Sequence, residues 1–204
     1  MWARNDQGVC AEFTSADPTD RYHPDMVWVG VPTALQPWAD STYVINDDGE
    51  VQPSSLDYIK EQAKARLAAR RWQEETRGAA LPGGRVPTGD RDKTLLAGAR
   101  DKALEEIEAA IAAAVADGGA AEDGRAAGLA ITHTLDMGGV PLTATNGQFI
   151  AMARAIGGHV QACFDRWGEV WRLLDAAEAW PDVVAVYAAE IDRIRNNEES
   201  GWPT

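Results

Sequence analysis

The feature that most constrains the fold is a row of apolar residues in the last third of the chain. Its members recur at steps of three and four residues, the spacing of one helix face: Phe149, Ala153, Ile156, Val160, Cys163, Trp167, Val170 and Leu174. The spacing holds over residues 149–174 and predicts one long helix at 146–176. We include Phe164, which lies beside the row, in this predicted seam.

A second helix is predicted from Pro181 to about Asn196, because proline is tolerated at the first helical position. Its apolar residues recur at the same steps: Val184, Tyr187, Ile191 and Ile194. Together the two helices form a predicted helical hairpin. The seam either packs inside its own chain or meets copies of itself in a homo-oligomeric coiled coil. We favour packing inside the chain, because Trp167 and Phe149 are large for a two-stranded seam.

Two more helices are predicted upstream of this hairpin. The first begins at residues 54–55, two serines, and stops near Gly78. The second spans about residues 88–117 and is rich in alanine. Residues 118–128 are rich in glycine and alanine, so we predict a mobile linker there. In residues 129–143, apolar and polar residues alternate before a glycine turn, and we predict a β-hairpin there.

Residues 1–53 have a different character, with short apolar runs between glycine, proline and aspartate. The valine-rich run at 26–31 and the Asp-Gly turn at 47–49 are typical of short strands and a hairpin. Because so few strands bury little surface alone, we predict a small β module that docks onto a partner or onto the helices. The fold class is therefore α+β, with this module followed by a mainly helical domain at 54–204. The candidate docking residues are apolar or aromatic: Trp2, Trp28, Val29, Trp38 and Tyr43.

The charge of the chain excludes one class of partner. A net charge of −13 and a pI near 4.6 repel phosphate backbones, so no nucleic-acid partner is expected. The basic residues of the first predicted helix alternate with glutamates, and we interpret them as a solvated face: Lys64, Arg66, Arg70 and Arg71, among Glu61, Glu74 and Glu75. No window has the length of a membrane span, and the opening lacks a signal-peptide pattern. We therefore expect synthesis in the cytoplasm and no membrane partner.

The sequence displays no recognised catalytic motif. It has no phosphate-binding glycine loop, no nucleophile elbow and no zinc-protease helix. His159 and Cys163 are one helical turn apart, but structural zinc usually takes four ligands. We therefore predict no catalytic residues, no cofactor and no metal. A hydrolase of a host surface polymer, with paired carboxylates as acid and base, is the alternative that we rank lowest.

Two stretches resemble phage proteins. The opening resembles a small N-terminal module of bacteriophage tail-fibre-associated proteins, through these segments: Trp2-Ala3-Arg4, Arg21-Tyr22-His23-Pro24, Met26-Val27-Trp28-Val29 and Asp47-Asp48-Gly49. Residues 71–176 resemble a phage and prophage domain of unknown function found beside tail-fibre genes. The segments that carry this second resemblance include Arg71-Trp72-Gln73-Glu74-Glu75, Val86-Pro87-Thr88, Val140-Pro141-Leu142-Thr143-Ala144 and His159-Val160-Gln161-Ala162-Cys163-Phe164.

The resemblance implies a setting rather than a chemistry. It implies a virion component of a phage tail, in or near the tail tip, the baseplate or the fibre attachment. We therefore expect a non-enzymatic structural or adaptor protein whose partners are other tail proteins. The alternative is a fibre-assembly chaperone, which binds the fibre while it folds.

Overall fold

A computed structural model describes residues 1–19, 21–38, 42–81, 84–137 and 139–195, of which 81, 84 and 191–195 are described by their backbone alone. The predicted turn residue Gly138 and the tail after residue 195 lie outside the described residues. The chain divides into two compact units. The described part of the first comprises Met1–Ala68 and residues 168–195, and the described part of the second is Ala69–Trp167. This division differs from the boundary after residue 53 that the sequence predicts, because the last part of the chain groups with the first.

The α+β prediction is confirmed: an N-terminal antiparallel sheet precedes a mainly helical part with a small hairpin. The strands are β1 Trp2–Asp6, β2 Val9–Thr14, β3 Val27–Gly30, β4 Tyr43–Ile45, β5 Val51–Pro53, β6 Ala79–Leu81, β7 Gly84–Val86, β8 Thr132–Met137 and β9 Val140–Thr145. The helices are α1 Leu56–Thr76, α2 Asp90–Ala116, α3 Ala121–Ala130, α4 Asn146–Ala176 and α5 Trp180–Arg195. No helix in the described part of the chain is long and apolar enough to cross a bilayer.

The first unit contains a five-stranded sheet in the order β3-β1-β2-β4-β5. Strand β1 was not predicted, and it pairs with both β2 and β3. The tight turn between β1 and β2 has positive φ at Gln7 and Gly8, and the Gly8 amide donates to Asn5 Oδ1 at 2.9 Å. The predicted Asp-Gly turn joins β4 and β5, with Gly49 at a φ of 80°. Ser55 caps α1, since its Oγ accepts from the Tyr58 amide at 3.1 Å.

The second unit has a core formed by α2, the β8–β9 hairpin and the first half of α4. Its buried residues come from elements far apart in the sequence: Ala79, Leu96, Met137, Ala144, Phe149 and Ile156. Helix α4 begins at a reciprocal capping box, in which the Thr145 amide donates to Gln148 Oε1 at 2.8 Å. In return, the Gln148 amide donates to Thr145 Oγ1 at 3.3 Å. The bounds of α4 agree with the predicted helix at 146–176.

The predicted linker at 118–128 is wrong, because most of it belongs to α3. Gly118 ends α2 at a φ of 81°, and the chain then turns back along α2. Gly124 and Gly128 are buried against α2, where a Cβ on Gly124 would lie 2.6 Å from Ala110 O. Only glycine permits this approach, so the residues that look like a linker are the ones that let two helices pack. The β-hairpin therefore starts later than predicted, at Thr132, and ends at Thr145.

Candidate functional site

The two most distinctive motifs of the sequence meet in the second unit. The motif cluster, as we call it, joins the end of α1 to the middle of α4 and includes Arg71, Trp72, Glu74, Glu75, His159, Cys163 and Phe164. The charged residues of α1 were predicted to form a solvated face, yet both glutamates are buried. Because buried carboxylates are uncommon in proteins, this cluster is the candidate functional site.

Glu75 is held by partners from three elements. Its Oε2 accepts from Arg71 Nη1 at 2.7 Å, and its Oε1 accepts from Lys93 Nζ of α2 at 2.7 Å. Its backbone oxygen accepts from the hydroxyl of Thr88, which is fully buried and also accepts from the Gly78 amide at 3.1 Å. The two cations compensate the buried carboxylate, and removing one of them would leave an uncompensated charge.

Glu74 faces a second set of partners. Its carboxylate pairs with Arg70 and lies 3.5 Å from Arg77 Nη1. Its backbone oxygen is 3.1 Å from His159 Nε2. Because a carbonyl oxygen can only accept, His159 carries its proton on Nε2 in this contact. The histidine thus serves as a buried donor that fastens α4 to α1 within the unit.

Cys163 lies one turn after His159, with its Sγ 3.9 Å from His159 Nε2. Burial, together with the nearby charges of Glu75 and Glu74, raises the pKa of the Cys163 thiol to about 11. The sulfur is therefore a neutral thiol at physiological pH, and a thiolate is the form that attacks substrates or binds metals. Among the described residues, no group of three or more His, Cys, Asp or Glu side chains could hold a metal ion.

The outer surface of the motif cluster is aromatic. Trp72 is 47% exposed and Phe164 is 42% exposed. The Arg71 guanidinium lies 4.2 Å from the centre of the Phe164 ring, and Lys93 Nζ lies 5.8 Å from that of Trp72. Arg71 and Lys93, the two cations that pair with Glu75, are therefore also the cations that contact these two rings.

The predicted seam of α4 is placed in three ways. Most of its members are buried: Phe149, Ile156, Cys163, Val170 and Leu174. Val160 and Trp167 are half-buried. Phe164, which lies off the three-and-four spacing, is exposed beside Arg71; it is therefore not a core residue, and its role at an interface stays a prediction.

The predicted docking residues of the first 53 positions fall into two groups by their burial. Trp2, Trp28 and Val29 are half-buried in β1 and β3. Trp38 and Tyr43 are corrections, because both are buried in the first unit. Trp38 packs edge-to-face on Tyr187 at 4.6 Å between ring centres, under the Arg66 guanidinium. These two side chains belong to the core of that unit and are not available to a partner.

A second polar cluster, missed by sequence reasoning, ties α2 to the β8–β9 hairpin. Glu106 Oε2 lies 2.6 Å from His133 Nε2 and accepts from Asn146 Nδ2 at 2.9 Å. The hydrogen bond from Asn146, followed by that from His133, lowers the pKa of Glu106. Asn146 also donates to Gly128 O at 3.0 Å and is fully buried. No local pattern marks these residues, because they lie in four different elements.

A shallow groove of about 250 Å³ runs between α2 and α4 in the second unit. Its floor is apolar, with Leu96, Ile156 and Val160, and Lys93 and Arg100 stand at its margins. The groove opens on the same face of α2 as Ala97.

The fold and the two polar clusters define a small α+β protein in which buried and half-buried polar groups connect the helices and the hairpin. Residues 58–194 match the family described as a domain of unknown function, DUF4376. The match covers more than half of the chain, so the chain belongs to this family. No curated protein and no solved structure matches the chain. The family description names no activity and does not tie the chain to phage tails.

Proposed function

We propose that the chain is a non-enzymatic structural or adaptor protein of a bacteriophage tail, at the tail tip, the baseplate or the fibre attachment. The phage setting rests on two sequence resemblances: the opening resembles a module of tail-fibre-associated proteins, and residues 71–176 resemble a phage and prophage domain found beside tail-fibre genes. The adaptor role rests on the open edge of the N-terminal sheet at β3. A strand at a sheet edge presents unpaired amides, which a partner strand can bind.

The register of β3 identifies the amides that are open. Among the described residues, β3 is an edge strand whose pairing partner is β1. The Val31 amide donates to Met1 O at 2.9 Å, in line with the same register. Bonded and non-bonded positions alternate in an antiparallel pair, so Val27 and Val29 bond to β1. The amide groups of Trp28 and Gly30 therefore point outward from the sheet.

The side chains beside this edge support a docking role. Val27 is 57% exposed, and Met26 before it is also exposed. Trp28 packs on Tyr22 at 4.6 Å between ring centres, and its indole N–H is buried without a hydrogen-bond acceptor among the described residues. A buried donor without an acceptor costs free energy in the unbound chain.

The edge is also short. Pro24 and Pro32 flank it, and β3 has four residues. Proteins use short strands and prolines to prevent indiscriminate pairing of edges. The edge therefore suits one short extended segment of a specific partner rather than open-ended aggregation.

The test is complementation of a gene deletion in the phage that encodes the chain. Purified virions are analysed by quantitative mass spectrometry after complementation with wild type, Gly30→Pro, Val27→Lys or Val9→Lys. Gly30→Pro removes an outward amide and leaves the pairing with β1, while Val9→Lys is a matched control on the interior strand β2, where Val9 is also exposed. We expect wild type and Val9→Lys in virions at a fixed ratio to other tail proteins, and the two edge variants to be depleted although folded.

Two results would overturn the proposal in different ways. Absence of the wild-type chain from virions rejects a structural role, and misfolded fibre protein in the deletion strain would then favour the chaperone. Presence of both edge variants at the wild-type ratio rejects β3 as the docking edge. Circular dichroism of each purified variant verifies that depletion does not reflect unfolding.

A further inference from the structure

The outer face of α2 carries an apolar stripe that the described part of the chain leaves partly exposed. Leu104 is 44% exposed and Val115 is 55% exposed, and Ile111 between them is half-buried. Their spacing of seven and four residues places them on one side of the helix. Helix α3 packs beside this stripe, with Gly128 against the buried Ile107 and Gly124 against the backbone of Ile111. The side chains of Leu104 and Val115 remain exposed next to α3.

The stripe continues into the groove between α2 and α4. Ala97 lines that groove and lies seven residues before Leu104, on the same face. Gly157 of α4 lines the opposite wall, and a Cβ on it would meet no atom within 4 Å. From Ala97 to Val115 the surface extends about 27 Å along the helix axis. This is the length and shape of a site for one helix of about five turns.

The charge around the stripe restricts what can bind there. Glu105 and Glu108 flank it, and among the described residues neither lies within ion-pair distance of a cation. Across residues 101–130, acidic residues outnumber the basic ones, Lys102 and Arg125. A second copy of the chain would place like charges against each other, which is unfavourable. Lysine or arginine beside an apolar face would instead neutralise the margin.

We propose that the face formed by Ala97, Leu104, Ile111 and Val115 binds an amphipathic helix of a partner protein whose apolar side is flanked by lysine or arginine. The occupant lies along α2 with its basic flanks beside Glu105 and Glu108, and only its apolar side reaches the α2–α4 groove, whose margins are Lys93 and Arg100. This surface belongs to the second unit and does not depend on the open edge of β3 or on the phage setting.

The probe is a synthetic helical peptide of about 20 residues, with leucines at heptad spacing and lysines on both flanks. Its matched partner carries glutamate in place of each lysine. Binding to the full chain is measured by fluorescence anisotropy. We expect the lysine peptide to bind with a Kd on the order of micromolar and the glutamate peptide to bind at least roughly tenfold more weakly.

A charge-neutral variant separates this site from unspecific attraction to an acidic protein. The triple variant Leu104→Gln, Ile111→Gln, Val115→Gln leaves the net charge unchanged and should weaken lysine-peptide binding by roughly tenfold or more, because it removes the apolar contact. Val140→Gln is the matched control, since Val140 is 66% exposed in the same unit but lies on β9. We expect that control to bind as wild type does.

Four outcomes would overturn the proposal. Equal binding of the two peptides would show that charge does not select the occupant. Wild-type affinity of the triple variant would show that the stripe is not the binding surface. Failure of the lysine peptide to bind wild type rejects a helix-binding face. Sedimentation equilibrium that shows a wild-type dimer and a monomeric triple variant would identify a second copy as the occupant.

Discussion

Helices α2 and α4 both carry long apolar rows, but the protein covers them differently. In α4 the row is buried at five of its positions, from Phe149 to Leu174. In α2 the buried residues include Leu96 and Ile107, while Leu104 and Val115 on the neighbouring face are bare. Periodicity thus predicts the helix and the direction of its faces, but whether a face is covered depends on elements elsewhere in the chain.

The reason for the difference lies in what packs on each helix. Phe149 meets residues from α2, β8 and β9 in one core cluster. The neighbour of α2 along its second half is α3, a ten-residue helix of mostly small residues. Such a helix approaches closely but covers a narrow strip, so the flank of α2 remains open. Covered and bare positions on these helices provide matched pairs for testing this comparison.

The largest effect is expected where the covered row is emptied. Phe149 is 1% exposed, so Phe149→Ala removes a buried ring and leaves a cavity. We expect the free energy of unfolding to fall by about 3–5 kcal/mol. Urea denaturation followed by circular dichroism measures this change. Val115→Ala on the bare row is the control, with an expected change within about 0.5 kcal/mol. Equal losses at the two positions would contradict the distinction.

The next effect tests the close packing of α3 on α2. In Gly128→Ala the new Cβ would lie 2.7 Å from the Ile107 Cα, so the helices must separate. We expect a loss of about 1–3 kcal/mol and faster hydrogen exchange in α3. Gly157→Ala provides the opposite case, since nothing lies within 4 Å of its Cβ position. There alanine should stabilise α4 by about 1 kcal/mol. If Gly128→Ala left the free energy of unfolding unchanged, the close approach of the two backbones would not be needed for α3 to pack on α2.

Elements that depend on neighbouring residues could be predicted from the sequence, whereas elements that depend on residues far away in the chain could not. The limits of α4 were predictable, because a capping pair at Thr145 and Gln148 precedes a sustained heptad row. Helix α3 was not, because Gly124 and Gly128 lower helix propensity locally and gain their value only against α2. Strand β1 escaped prediction because Trp2–Asp6 is largely polar, and its pairing with two neighbours supplies the order.

The candidate site was predictable only in part. The spacing of Arg71 and Glu75 on α1 was visible, but the same spacing occurs on solvated helices. Burial of Glu75 depends on contacts with Lys93 and Thr88, and both residues follow the β6–β7 hairpin in the sequence. The burial that distinguishes this cluster is therefore a property of the tertiary structure.

A smaller effect is expected at Phe164, the same residue type as Phe149 on the same helix. It is 42% exposed, and its contacts are the Arg71 guanidinium and the edge of Trp167 at 6.3 Å between ring centres. Phe164→Ala should lower the free energy of unfolding by about 1 kcal/mol. The same denaturation assay checks this value. A loss as large as that of Phe149→Ala would place Phe164 in the core after all.

The smallest effect compares a covered glutamate of α2 with a bare one. Hydrogen bonds from Asn146 and His133 lower the pKa of Glu106 below its ordinary value of 4.5, so the folded protein binds fewer protons there than the unfolded chain does. Its contribution to stability is therefore present above that value and is lost as the pH falls through the lower pKa of the folded state. Glu106→Gln should flatten the decline in stability between about pH 5 and pH 3. Glu108→Gln on the open face should leave the decline as it is in wild type. Denaturation of both variants at each pH measures the difference, and identical slopes would mean that the Glu106 contacts are not maintained in solution.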